Sequence, residues 1–226
     1  MTMNRNIYVD TETTGFDSVN NKTIELAFIE EENGNILNKY DNFINICEPL
    51  PDKIKELTGI SDMMLHTFGL SEKAVADDFK AVLGDGNVTV YAHNAQFDLG
   101  FIYNLLIRNY DKSEIDALFA KIKWIDSLTI LRDRKAFPHK LSDGIEYYNI
   151  EGVKNSHRAI DDTEAMYYLV QAMRLERDDI EDYTNIFGYF AKHGVNGERF
   201  PFITYIVHPY NNVGLKDSKD ILPTLA

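Results

Sequence analysis

The chain has 226 residues, of which 44% are hydrophobic and 26% charged, a composition that excludes global disorder, collagen and a coiled-coil rod. That length fits one domain with a small appendage. Its net charge of −13 repels phosphate polyanions at long range, so any nucleic acid must be handled through a local site, bound cations or a partner.

Residues 5–10 (RNIYVD) alternate before a TETTG turn and read as a strand. Residues 22–31 and 36–47 read as two more, and Glu32-Asn33-Gly34-Asn35 between them carries a hairpin signal. Helices are predicted over 52–58 and 71–83, the second opened by Ser71 and Glu72. A short buried strand follows at 88–92, then helices at 97–110 and 114–121 and a fifth strand at 122–126. Residues 126–136, 140–149 and 159–177 complete the helices. The three leading strands, joined by tight turns, should be antiparallel, and the later ones, separated by helices, parallel. The expected class is α/β, a mixed five-stranded sheet with helices on both faces.

Residues 178–226 differ. An acidic cluster (Asp178, Asp179, Glu181, Asp182) leads into Tyr183, Phe187, Tyr189, Phe190, Phe200, Phe202, Tyr205 and Tyr210. So many aromatics argue for a segment that packs on something, with a strand at 200–207. The single Cys47 leaves no internal disulfide and favours a reducing compartment. No apolar run approaches the ~20 residues of a membrane span. The opening MTMNRNIYVD meets acidic residues before any signal-peptide core. A cytoplasmic protein with no membrane partner is expected.

Four acids stand out. Asp10 and Glu12, two apart at the end of the first strand, share a face with Tyr8, while Ile7 and Val9 face the other way. Side by side, two carboxylates repel unless a cation lies between them. Asp98 heads the stripe Phe101, Ile102, Leu105, and Asp162 heads Met166, Leu169, Val170, Met173. Asp161 should point elsewhere. Each acid has a plainer reading, as a solvated turn residue, a helix cap or a charge at a wet helix end. Together they lie where sites form in α/β sheets, near strand ends and helix starts. Four oxygen-donor acids suit hard cations such as Mg²⁺ or Mn²⁺, and the chemistry favoured is two-metal phosphodiester hydrolysis. His157, five residues before Asp162, is either a loop histidine or a base for a metal-bound water.

The stretches VDTETTG (9–15), YAHNAQFD (91–98) and SHRAIDD (156–162) resemble the three motifs of DEDDh 3′–5′ exonucleases, relatives of the proofreading epsilon subunit of DNA polymerase III. TIELA (23–27), LTGIS (57–61) and IDSL (125–128) add secondary matches over residues 5–175. The likeness is nearest to the exonuclease module within PolC-type polymerases, and RFPFITYIV with NNVGLK (199–216) looks like the chain after that module. The resemblance implies a ribonuclease H-like fold. It divides the chain into an exonuclease domain, 1–177, and an extension, 178–226, read as a remnant of a PHP-like polymerase segment. It implies Asp10, Glu12, Asp98 and Asp162 as ligands of two divalent ions, Mg²⁺ or Mn²⁺, and His157 as general base. Thr13, Thr14 and Gly15 would lie beside the 3′-terminal nucleotide, and Asn94 would position the strand. Glu25 matches a recurring acid without a role. The expected substrate is a single-stranded or frayed DNA 3′ end, the product nucleoside 5′-monophosphates, and the setting proofreading or repair beside a replicative polymerase. RNA 3′-end trimming and a docking module of a replication complex are the alternatives.

Overall fold

The computed structural model describes residues 5–208. Tyr210 and NNVGLK (211–216) lie outside the described residues. Five strands form one sheet: β1 (Arg5–Thr13), β2 (Thr23–Glu32), β3 (Asn35–Phe43), β4 (Thr89–Ala92) and β5 (Lys123–Asp126), in the order β3-β2-β1-β4-β5. The pairs β1–β2 and β2–β3 are antiparallel, and β1–β4 and β4–β5 are parallel, as expected. The β2–β3 connection is Asn33-Gly34, both at positive φ (53° and 82°), the backbone that a two-residue hairpin of matching twist demands.

The alternation in β1 sorts its side chains between two cores. Ile7 and Val9 join Val90 and Trp124 under α3 (Glu72–Leu83), α4 (Ala95–Ile107) and α5 (Lys112–Phe119). Tyr8 joins Tyr91 and Ile125 under α6 (Ser127–Arg134), α7 (Leu141–Tyr147) and α8 (Ala159–Glu176). The rings of Tyr8 and Tyr91 stack with centroids 4.7 Å apart. Ser71 caps α3 by accepting from the Ala74 amide. The strands thus run to the C-terminal ends of β1, β4 and β5, where α4, α6 and α8 begin.

Several elements differ from the sequence reading. β1 continues to Thr13, because Glu12 pairs with Glu25 and Thr13 with Thr23 across β2. Helix α4 starts at Ala95 rather than 97, and strand β3 ends at Phe43 rather than 47. A further helix follows α1 (Asp52–Thr58): α2 (Asp62–Phe68), capped by Ser61 accepting from Met64. Its periodicity is weak because Met63 and Phe68 face solvent. A strand at Ile186–Phe190, β6, also goes unread, because its ends bury unequally and no alternation marks it. The strand expected at 200–207 lies at Thr204–His208, β7.

β6 and β7 pair in parallel. Asn185 ties them to the main sheet: its amide donates to the Trp124 carbonyl (2.8 Å), its Oδ1 accepts from the Trp124 amide (2.7 Å), and its carbonyl accepts from Thr204 (2.7 Å). Phe187, Phe200 and Ile203 enter the first core; Ile180, Tyr183, Ile186 and Ile206 enter the second. Truncating so buried an aromatic removes transfer energy and leaves a cavity. Phe187→Ala should lower unfolding free energy by about 3–5 kcal/mol in urea titration, within one cooperative transition. A near-neutral effect would mean that this segment packs independently of the core.

Candidate functional site

The acids gather where β1 and β4 end. Donor atoms of Glu12, His157 and Asp162 lie within 4.8 Å of one another. Asp10, His157 and Asp162 line a cleft of about 690 Å³ together with Asn94. Asp98, 2% exposed, lies outside that three-residue cluster and arrives from the other face of the sheet, where its Oδ1 accepts from the Thr11 hydroxyl at 2.8 Å. The alternation of β1 explains both approaches: Asp10 and Glu12 follow Tyr8 toward α8, and Thr11 follows Val9 toward α4.

Each contributor is held by specific bonds. Asp162 Oδ1 accepts from Asn155 Nδ2 (3.0 Å) and from the Ser156 amide (3.2 Å), which fixes the loop carrying His157. His157 itself sits at φ 56° and is exposed. Asp161 points away and accepts from Ser156 Oγ at 2.6 Å. Asn94, in the left-handed conformation at φ 70°, opens α4. Its amide and that of Ala95 donate to Asp126 Oδ1 at 2.9 and 3.2 Å. Asp126 also accepts from the Leu128 amide and the Thr129 hydroxyl (2.6 Å), so one buried carboxylate anchors the starts of α4 and α6. The sequence held its signal, an acid directly before SLT at a helix start.

Thr13, Thr14 and Gly15 build the turn beside the acids. The Thr13 hydroxyl donates to the Gly15 carbonyl (2.6 Å), and the Thr14 hydroxyl accepts from the Lys22 amide (2.9 Å). Side chains and backbone both serve the turn, for the Thr14 amide also donates to the Lys22 carbonyl at 2.9 Å. A Cβ on Gly15 would overlap Asn21 Oδ1, which accepts from the Asp17 amide.

Glu25, unassigned from sequence, is fully buried beside Glu12. It accepts from Arg158 Nη2 (2.6 Å) and Nε (3.0 Å) and from the Ala159 amide (3.0 Å) at the start of α8. This pair seats α8, and with it His157 and Asp162, against the sheet. His93 also lines the cleft, with Nδ1 3.0 Å from Ser127 Oγ and Nε2 3.2 Å from the His139 carbonyl.

Burial, reinforced by crowding at Asp10 and Glu12, shows in the protonation equilibria. Burial pushes Glu12 up to about 8, reinforced by Asp162, Glu25 and Asp98 and opposed by Arg158. Burial pushes Asp98 up to about 7 and Asp162 up to about 6. Asp10 is raised well above the carboxylate range by desolvation, then by Asp98, Glu12 and Asp162. Such a site releases its protons at neutral pH most readily when a cation takes their place. The donor set, carboxylate oxygens with one imidazole, fits a divalent metal ion.

Residues 7–170 match the RNase T exonuclease family. The chain belongs to this exonuclease family. Among curated proteins it is similar to PolC-type DNA polymerase III of Halalkalibacterium halodurans, 38% identical over 172 residues, covering 74% of this chain and 11% of that protein. The Bacillus subtilis counterpart is 37% identical over 171 residues, with 74% and 11% covered. The match to Listeria innocua PolC, 33% identical over 217 residues, takes in 92% of this chain and 14% of that one. The exonuclease chain therefore spans only about a tenth to a seventh of these relatives. Its fold is that of exonuclease I: one structure superposes with TM-score 0.70 at 19% identity over 80% of this chain and 43% of that one. The Escherichia coli enzyme in complex with a dA16 oligonucleotide gives 0.67 at 17% identity, over 80% and 42%. The ribonuclease H-like expectation thus holds. Among the described residues no helix is long and apolar enough to cross a membrane.

Two outcomes follow. The folded, ion-free chain holds protons on Glu12, Asp98 and Asp162 that the unfolded chain releases near pH 4. The folded state therefore binds more protons between about pH 4 and 8, and stability falls as pH rises through that window. The melting temperature without divalent ions should drop from pH 5 to pH 8. Added Mg²⁺ or Mn²⁺ should raise it more at pH 8 than at pH 5, and Glu12→Gln should blunt both effects. A flat profile would refute the buried-carboxyl account. Separately, Arg158→Ala leaves Glu25 buried without its guanidinium partner, and should cost about 3 kcal/mol in denaturant titration. Combining it with Glu25→Gln should recover part of that loss, and no recovery would show the pair to be incidental.

Proposed function

We propose that the chain is a metal-dependent 3′–5′ exonuclease that hydrolyses DNA phosphodiesters from the 3′ end and releases nucleoside 5′-monophosphates. The observation that carries this reading is the convergence of Glu12, His157 and Asp162 within 4.8 Å, at a cleft that Asp10 also lines. Asp10, Glu12, Asp98 and Asp162 would hold two divalent ions, Mg²⁺ or Mn²⁺. The ions supply, when bound, charge neutralisation at the phosphate and an acidified water. His157, exposed at the cleft mouth on a loop fixed by Asp162, takes the proton of the attacking water as general base. The turn Thr13-Thr14-Gly15 would lie beside the terminal nucleotide, and Asn94, its amide held by Asp126, positions the strand.

The substrate is read as a single-stranded or frayed DNA 3′ end. The net charge of −13 disfavours long duplex, which needs several basic contacts to phosphate, whereas a frayed end needs few. Likeness to PolC-type polymerases supports a role in proofreading or repair in the cytoplasm, with a replicative polymerase as partner. We read residues 1–177 as the exonuclease domain and 178–226 as an extension left from a PHP-like polymerase segment. The 92% coverage in the Listeria innocua match, which reaches into that extension, supports reading the extension as PolC-like.

Purified protein incubated with 5′-labelled single-stranded DNA should give a ladder shortening from the 3′ end with Mg²⁺ or Mn²⁺, and none with EDTA. Asp10→Ala should lose about 10³-fold or more, and His157→Ala about 10²–10⁴-fold. Faster loss of matched RNA would move the reading to RNA trimming. Wild-type activity in Asp10→Ala would end the metal assignment.

A further inference from the structure

The catalytic cleft has a positive side that the acid motifs do not account for. Arg132 of α6 and Lys140 are the cationic side chains among its described lining residues. Arg132 also lines a smaller adjoining cavity walled by β6. Its guanidinium is fastened by the C-terminal extension: Nη1 donates to the Gly188 carbonyl at 2.9 Å, and the group lies over the Phe190 ring, 4.7 Å from its centroid. Its buried Nε has no hydrogen-bond partner among the described residues.

Arg132 is also left uncompensated. Arg5, Arg108, Arg134, Arg158, Arg174 and Arg177 each face a carboxylate, while Arg199, away from the cleft lining, lies over the rings of Tyr189 and Tyr205. Among the described residues none lies within ion-pair distance of Arg132, although the chain carries 36 acids. A guanidinium has five N–H donors, and here one is spent on a carbonyl. An aromatic ring beneath it stabilises the cation without neutralising it. Nε is shut away by burial, and the Nη2 end of the guanidinium is left to meet the paired oxygens of a phosphodiester.

We propose that Arg132 binds a backbone phosphate of the strand held in the cleft, and that β6 positions its guanidinium through Gly188 and Phe190. The extension then supplies a working wall of the site. The inference rests on the exonuclease reading above, and a binding measurement separates the two.

Fluorescence anisotropy of a 5′-labelled (dT)12 strand, with Ca²⁺ present and salt varied from about 50 to 200 mM, reads the contact in the full chain. Arg132→Gln should weaken binding about tenfold and flatten the log–log salt slope by about 0.7, the loss of one phosphate contact on a single strand. Arg132→Lys should keep the slope and recover part of the affinity. Phe190→Leu should weaken binding about threefold with the charge in place, and Phe190→Tyr should match wild type. Wild-type affinity and slope in Arg132→Gln, a lowered melting temperature as its sole effect, or no binding by the wild type would overturn the proposal. Hydrolysis of the same strand is scored separately with Mg²⁺. A strand that is bound through Arg132 but never shortened would sink the exonuclease reading alone.

Discussion

Asp10, Glu12, Asp98 and Asp162 are held nearer to one another than like charges settle unaided, and the surrounding structure opposes that repulsion. Thr11 fixes Asp98. Asn155 and Ser156 fix Asp162. Glu25, itself a fifth acid beside Glu12, is met by Arg158 and by the first amide of α8. Burial strips these carboxyls of water, like charge adds to that at Asp10 and Glu12, and so the carboxyls favour protons in the ion-free chain. What the fold supplies is a geometry of buried carboxylates kept against electrostatic strain, which a bound metal ion would relieve.

Much of this was legible in the residues. Strict alternation in β1 gives the facing of Tyr8, Asp10 and Glu12, because a strand has a side-chain period of two. Asp162 heads its apolar stripe as its spacing implies, and Asp161 turns away to Ser156. The supporting bonds were harder to see, since they join residues far apart in the chain. Arg158 and Glu25 are 133 positions apart, and nothing local to TIELA says that its acid will receive a guanidinium. Asp126 reads locally as a helix cap, and its hold on Asn94, 32 positions earlier, depends on β4 and β5 being neighbours. Helix α2 and strand β6 escaped for the opposite reason: their side chains show no clean period, because α2 exposes Met63 and Phe68 and β6 is buried on both sides at its start.

The C-terminal segment reads from composition as something that packs, and its aromatics do enter both cores. Composition could not say where. The answer lies in Asn185, whose backbone and side chain together continue the hydrogen bonding of β5. That placement carries Gly188 and Phe190 to the cleft beside Arg132.

Asp126 gives the site a mechanical property as well as a chemical one. A single carboxylate accepts from the first residues of two different helices, so the β4–α4 and β5–α6 corners share one fastening point. Neither corner can swing without stranding a buried carboxyl group, and the two must open together or stay shut. Asn94, on one corner, and Arg132, one turn along from the other, are thereby geared to each other, and a strand gripped by both would feel a rigid jaw rather than two independent fingers.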